Sequence, residues 1–103
     1  MNVRFLLPAR RELVDVIRYY NAQRVRLGDE FQDEVWDTIG RIKSFPGAWH
    51  PLSAAIRRCQ MNRFPYGLIY AASKDEILII AVAHLHQAPD YWRSRSGPGV
   101  KES

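Results

Sequence analysis

The sequence predicts an α+β domain: an N-terminal strand, an α-helical hairpin, then a three-stranded antiparallel meander forming one sheet with the first strand. Three observations predict it. Apolar residues recur with a helical period between Ala9 and Phe45 and with strand character between Ile56 and His84. Leu27-Gly28-Asp29 breaks the helical half in two, and Phe45-Pro46-Gly47 ends it. The polar connector Ser73–Glu76 lies between two apolar runs and is too short for a parallel crossover, so those runs form a hairpin.

The first strand is Asn2–Leu7, with Val3, Phe5 and Leu7 alternating with Asn2, Arg4 and Leu6. Pro8 ends it and suits a helix start, where its missing N–H costs little. Leu13, Val16, Ile17 and Tyr20 then mark one face of a helix reaching about Gln23, with Tyr19-Tyr20 expected to seal the hairpin against the sheet. Glu12 and Asp15 early, with Arg18 and Arg24 late, fit the helix dipole. Asp29 or Gly28 is the expected cap of a second helix whose apolar face is Phe31, Val35, Ile39, Ile42 and Phe45. Gly40 lowers its propensity and is expected to allow close packing.

Ala48–Ala55 reads as a loop with His50 facing solvent. A basic strand, Ile56–Phe64, places Cys59 and Met61 on one face and Arg58, Gln60 and Asn62 on the other. Tyr66–Ala72 and Ile77–Ala83 are the apolar strands. The last is apolar on both faces, Leu78, Ile80 and Val82 alternating with Ile77, Ile79 and Ala81, so it belongs mid-sheet with both sides covered. The helices cover one side; the C-terminal segment, a partner chain, or both cover the other. Tyr91-Trp92 reads as an aromatic anchor, and from Ser96 a polar Gly/Pro tail is expected to be disordered.

A chain of 103 residues makes a single domain, expected over 1–95 with the tail at 96–103. No apolar run approaches the roughly 18 residues that span a membrane, and the N-terminus has the wrong polarity order for a secretory signal. One cysteine excludes a disulfide framework and fits the cytoplasm; Cys59 falls on the core face as a structural thiol. The net charge of +4 is uneven: residues 1–50 carry eight Lys/Arg against seven Asp/Glu, residues 51–103 seven against four. That excess beside a sheet suits an acidic partner, nucleic acid or an acidic protein segment. No cofactor or metal site is indicated.

Several stretches, in this order, resemble the RelE/ParE superfamily of bacterial toxins from type II toxin–antitoxin systems. They are Ala9-Arg10-Arg11-Glu12-Leu13, Tyr19-Tyr20, Gly28 with Phe31, Phe45-Pro46, Ile56-Arg57-Arg58, Arg63 to Tyr70, Ile77 to His84 and Pro89 to Arg95. The resemblance covers roughly residues 3–95. It implies a toxin linked to growth inhibition and plasmid stabilisation, neutralised by a cognate antitoxin. RelE-like members cut messenger RNA on the ribosome, whereas ParE-like members bind DNA gyrase without chemistry of their own.

Cleaving RNA through its 2′-OH needs a base, an acid and cations on phosphate. Laid on the RelE pattern, Arg58 falls at one basic position, but Gln60, Gly67 and Leu85 fall where the resemblance implies further basic residues. The ParE-like branch is therefore favoured, with Arg57, Arg58, Arg63, His84, Arg93 and Arg95 as recognition residues. The alternative is an endoribonuclease with His84 or Tyr91 as acid/base and Arg58 and Arg63 on phosphate, because histidine titrates near neutrality. Structural readings stand beside these: His84 as a strand end bonded to the backbone or tail, His86 as surface, and Tyr91 and Trp92 as core anchors. A third reading is a residual module that only binds antitoxin.

Overall fold

The computed structural model describes residues 1–95, so the expected tail from Ser96 lies outside the described residues. The elements are β1 (Asn2–Phe5), α1 (Leu7–Gln23), α2 (Leu27–Ser44), β2 (His50–Pro51), β3 (Arg57–Gln60), β4 (Tyr66–Ala72) and β5 (Glu76–His84). They form one sheet in the order β1-β5-β4-β3-β2. The meander is antiparallel, and β1 joins it parallel to β5 through Asn2↔Glu76 to Phe5↔Ile79. The long helical excursion between β1 and the meander permits that parallel pairing. The loop at 48–55 contributes the two-residue strand β2, on which His50 is exposed.

Two apolar clusters sandwich the sheet. On the helix side, Leu13 and Val16 of α1 and Phe31, Val35, Ile39 and Ile42 of α2 pack on Leu68, Tyr70, Ile77, Ile79 and Val82. On the far side Leu6, Ile56, Ile69, Ile80, Ala81 and Ala83 are covered by Trp92, which is 1% exposed. Its indole N–H donates to the Pro89 carbonyl at 2.8 Å, which satisfies its one polar group. The aromatic anchor thus roofs the second core.

Some sequence expectations need correction. The alternation along β5 breaks: Ile77, Ile79 and Val82 face the helices, while Leu78, Ile80, Ala81 and Ala83 face away. The cause is a bulge, since Ile69 pairs with Ala81 and Tyr70 with Ile79, leaving Ile80 unpaired. Strand β1 ends at Phe5, and α1 starts at Leu7, with Pro8 in its first turn. Glu12, Asp15 and Arg18 lie inside α1, away from its first and last turns and too far in to act on its dipole, while Arg24 is its C-cap residue. Phe45 is 65% exposed, because as the cap of α2 it has left helical geometry and the periodicity no longer holds.

The helix turn also differs. Neither Gly28 nor Asp29 caps α2; Arg26 does, in the left-handed region at φ 68°. Gly28 lies inside α2, where a Cβ would sit 2.1 Å from the Ile17 carbonyl oxygen. Its N–H donates to Asn21 Oδ1 at 2.7 Å. The close helix–helix approach expected at Gly40 therefore occurs at Gly28, and a Cβ at Gly40 would meet nothing within 4 Å. Tyr20 packs against Phe31, Phe64 and Tyr66, but Tyr19 is 56% exposed and touches only Tyr20 among the described aromatic rings.

Candidate functional site

Pairing of β3 with β4 sets Arg58 opposite Ile69 on the far side of the sheet, and Arg57 opposite Tyr70 on the helix side. The stem of Arg58 runs across Gly67: a Cβ there would lie 3.0 Å from its Cγ and 3.2 Å from its Cδ. A bare backbone at position 67 thus gives the arginine its bed. Arg58 then forms one wall of a cleft of ≈ 80 Å³, shared with Leu52, Ile69, Ala83, His84, Tyr91 and Trp92. The Arg58 Nε is buried and has no hydrogen-bond partner among the described residues.

His84 closes β5 at the mouth of this cleft. Its Nδ1 accepts the His86 N–H at 3.0 Å, and its own N–H donates to Gln87 Oε1 at 3.2 Å. With Nδ1 committed as acceptor, a neutral ring carries its proton on Nε2. Tyr66 meets the ring edge-on at 5.0 Å. His86 is exposed and stacks at 5.3 Å on His84. These contacts are those of a strand end tied to the following turn.

Tyr91 lines the same cleft, but its hydroxyl is buried and lacks a hydrogen bond of good geometry. Burial, then the neighbouring Glu12 carboxylate, pushes its pKa well above the ordinary tyrosine value. A phenol held in that way donates its proton less readily than one in water.

The remaining candidate arginines lie apart. Arg57 donates to the Trp49 carbonyl at 2.9 Å. Arg63 pairs with Glu30 of α2 at 2.8 Å and covers the Phe64 ring at 5.0 Å. Arg93 pairs with Asp90 at 2.8 Å and lies 4.9 Å over Trp92. Arg95 is bidentate to Glu12, at 2.8 and 2.9 Å, and donates to the Ile80 carbonyl at 3.2 Å. Arg58, His84 and Tyr91 therefore share one cleft, and Arg57, Arg63, Arg93 and Arg95 do not line it.

Two acidic residues join elements in ways the sequence did not show: Glu12, read there only as a helix-dipole charge, and Glu34, which was not singled out. Glu12 Oε1 accepts the Val82 N–H at 3.0 Å, capping β5 beyond the end of β1, while the same carboxylate holds Arg95. Glu34 Oε2 accepts the N–H groups of Asn62 and Arg63 at 2.5 and 2.9 Å, fixing the turn after β3. Both had a signal. Glu12 falls in the Ala9, Leu13, Val16 stripe and Glu34 in the Phe31, Val35, Thr38 stripe, so each charge sits on a face its helix buries. Burial also pushes the Cys59 thiol up, as expected of a structural cysteine. Among the described residues no cluster of ligands for a metal occurs, and no helix is long and apolar enough to cross a membrane.

Comparison with known proteins agrees with this architecture. A solved structure of the chromosomal ParDE TA system from P. aeruginosa superimposes with a TM-score of 0.70, at 14% identity, over 82% of this chain and 95% of that one. At that identity the likeness speaks for the fold. No curated protein matches in sequence. Residues 3–89 match the family described as the ParE toxin of type II toxin–antitoxin system, parDE. The match spans most of the chain, and the chain therefore belongs to the ParE toxin family.

Proposed function

We propose that the protein is the toxin of a type II toxin–antitoxin pair, that it acts in the cytoplasm by binding DNA gyrase, and that a cognate antitoxin neutralises it. The observation that carries the binding reading is the poverty of the cleft in catalytic groups. Among the described residues it holds one arginine, one histidine and a tyrosine with a buried hydroxyl. Transfer of a phosphoryl centre needs cations on the phosphate as well as an acid and a base. Arg63, the second cation of the endonuclease scheme, is held by Glu30 outside the cleft. Recognition through Arg57, Arg58, Arg63, His84, Arg93 and Arg95 asks for no such convergence.

A supercoiling assay with purified gyrase tests the reading. The purified protein should inhibit supercoiling and accumulate cleaved DNA, and His84→Ala should retain that effect. The second reading, a ribosome-dependent endoribonuclease, is favoured by the shared cleft of Arg58, His84 and Tyr91. It requires cleavage of messenger RNA in the ribosomal A site, lost in His84→Ala and Tyr91→Phe while antitoxin binding persists. Inactivity in both assays with antitoxin binding intact would leave only the residual module.

A further inference from the structure

We infer that the cleft between β3, β5 and the C-terminal turn is a receptor for a single carboxylate side chain presented by a protein partner, with Arg58 as its anchor. The inference rests on the reading of the protein as one that works through protein contacts. Three features of the cleft carry it.

The first is the state of Arg58. Its neighbours in sequence and in the C-terminal turn are satisfied: Arg57 by a carbonyl, and Arg63, Arg93 and Arg95 by carboxylates. Arg58 has no hydrogen bond or ion pair with any described residue, although its Nε is buried and its stem is fixed over Gly67. A buried, unpaired donor on a cation is costly unless something outside the chain completes it. Carboxylates do so as a fork, taking Nε and one Nη together. The molecule already contains that fork elsewhere, in Arg4 Nε and Nη2 on the two oxygens of Glu76 at 3.0 and 2.9 Å.

The second is charge. Among the described residues no Asp or Glu lines the cleft. Glu12 is held by Arg95 and the Val82 N–H, and Asp90 by Arg93. His84 lines the same cleft. The third is size and lining. A space of ≈ 80 Å³ walled by Leu52, Ile69, Ala83 and Trp92 accepts a carboxylate on a short aliphatic stem. It is far below the roughly 300–1,000 Å³ of sites for whole small molecules. The methylenes of an acidic side chain cover such walls, whereas a phosphodiester brings polar oxygens and sugars to them.

The test is an NMR titration of the ¹⁵N-labelled full chain with butyrate, an analogue of the glutamate side chain. Butyramide serves as its uncharged isostere and inorganic phosphate as the competing anion. Butyrate should shift the Arg58 Nε–H and the His84 ring resonances saturably, in the millimolar range. Butyramide should bind roughly 10–100-fold more weakly, the worth of a charge-assisted bond, and phosphate more weakly than butyrate. Arg58→Gln should abolish the effect, and Arg58→Lys, which keeps the charge but loses the fork, should weaken it. Lys74→Gln, the same loss of charge on the exposed β4–β5 turn, should leave it intact. Equal binding of butyramide, tighter binding of phosphate, persistence in Arg58→Gln, or no saturable shift would each overturn the inference. The readout does not involve gyrase. Butyrate binding without gyrase inhibition leaves the receptor standing and removes the target; gyrase inhibition without butyrate binding does the reverse.

Discussion

Replacing Glu12 by alanine probes the point where helix, sheet edge and C-terminal turn are joined. The carboxylate accepts two bonds from Arg95, at 2.8 and 2.9 Å, and one from the Val82 N–H at 3.0 Å. The two side chains are only 20% and 18% exposed. The substitution leaves a backbone donor without a partner, worth about 1–3 kcal/mol. It also leaves a guanidinium mostly out of water, where the cost of breaking a fully buried pair, ~3–5 kcal/mol, must be discounted for the remaining exposure. A total near 3 kcal/mol follows, or a fall in Tm of about 15 °C for a domain of this size. Arg95→Ala should cost about half as much, because Glu12 keeps Val82 and can reach water. Urea unfolding followed by far-UV circular dichroism measures both, and Glu12→Ala/Arg95→Ala closes the cycle. The double variant should be clearly less destabilised than the sum of the singles, by at least ~1 kcal/mol. A loss below about 0.5 kcal/mol for Glu12→Ala, or a coupling of zero, would refute the idea that this pair secures the C-terminal turn.

The two helical glycines should respond with opposite sign. Gly28→Ala drives a methyl into the Ile17 carbonyl and should destabilise by about 3 kcal/mol, whereas Gly40→Ala, in open space, should stabilise by ~0.5–1 kcal/mol, both read from urea midpoints. Burial pushes the Tyr70 pKa up from 10.0 to about 12, so the folded state keeps a proton that the unfolded chain gives up. Its contribution is intact below pH 10 and is lost as pH rises towards 12; Tyr70→Phe, which also gives up the 2.6 Å bond to the Pro46 carbonyl, should flatten that part of the alkaline unfolding curve. Trp92→Ala should cost about 3–5 kcal/mol and raise binding of an apolar dye, since it unroofs the far-side core.

The elements and their order were legible because helical and strand periods separate cleanly in this chain, and because a strand apolar on both faces has a place only inside a sheet. The same property hid the bulge at Ile80: where either face is apolar, a register slip leaves no mark on the pattern. Helix-face reading failed at Phe45 for the opposite reason, periodicity having outrun the helix by one residue. At the site, Arg58, His84 and Tyr91 were readable as candidates, but their meeting in one cleft depends on contacts across the sheet that no local spacing encodes. The Glu12–Arg95 pair joins residues 83 apart in sequence. Its only sequence trace was an acid in a buried stripe. Gly67 read as a missing arginine; in the fold it is the surface on which Arg58 lies.

The parallel pairing of β1 with β5 bears on how the protein is made. Translation delivers β1 first, yet Asn2 waits for Glu76, and Phe5 for Ile79, before either has a strand neighbour. During that interval the apolar stripes of both helices have no sheet to rest on, and contacts of such sequence separation form slowly. Arg95, which fastens the finished turn, is synthesised later still. A nascent chain halted before β5 therefore has neither the completed sheet nor the cleft, and offers proteases an open substrate. Incomplete copies lack the cleft, which is closed only by the last residues of the fold.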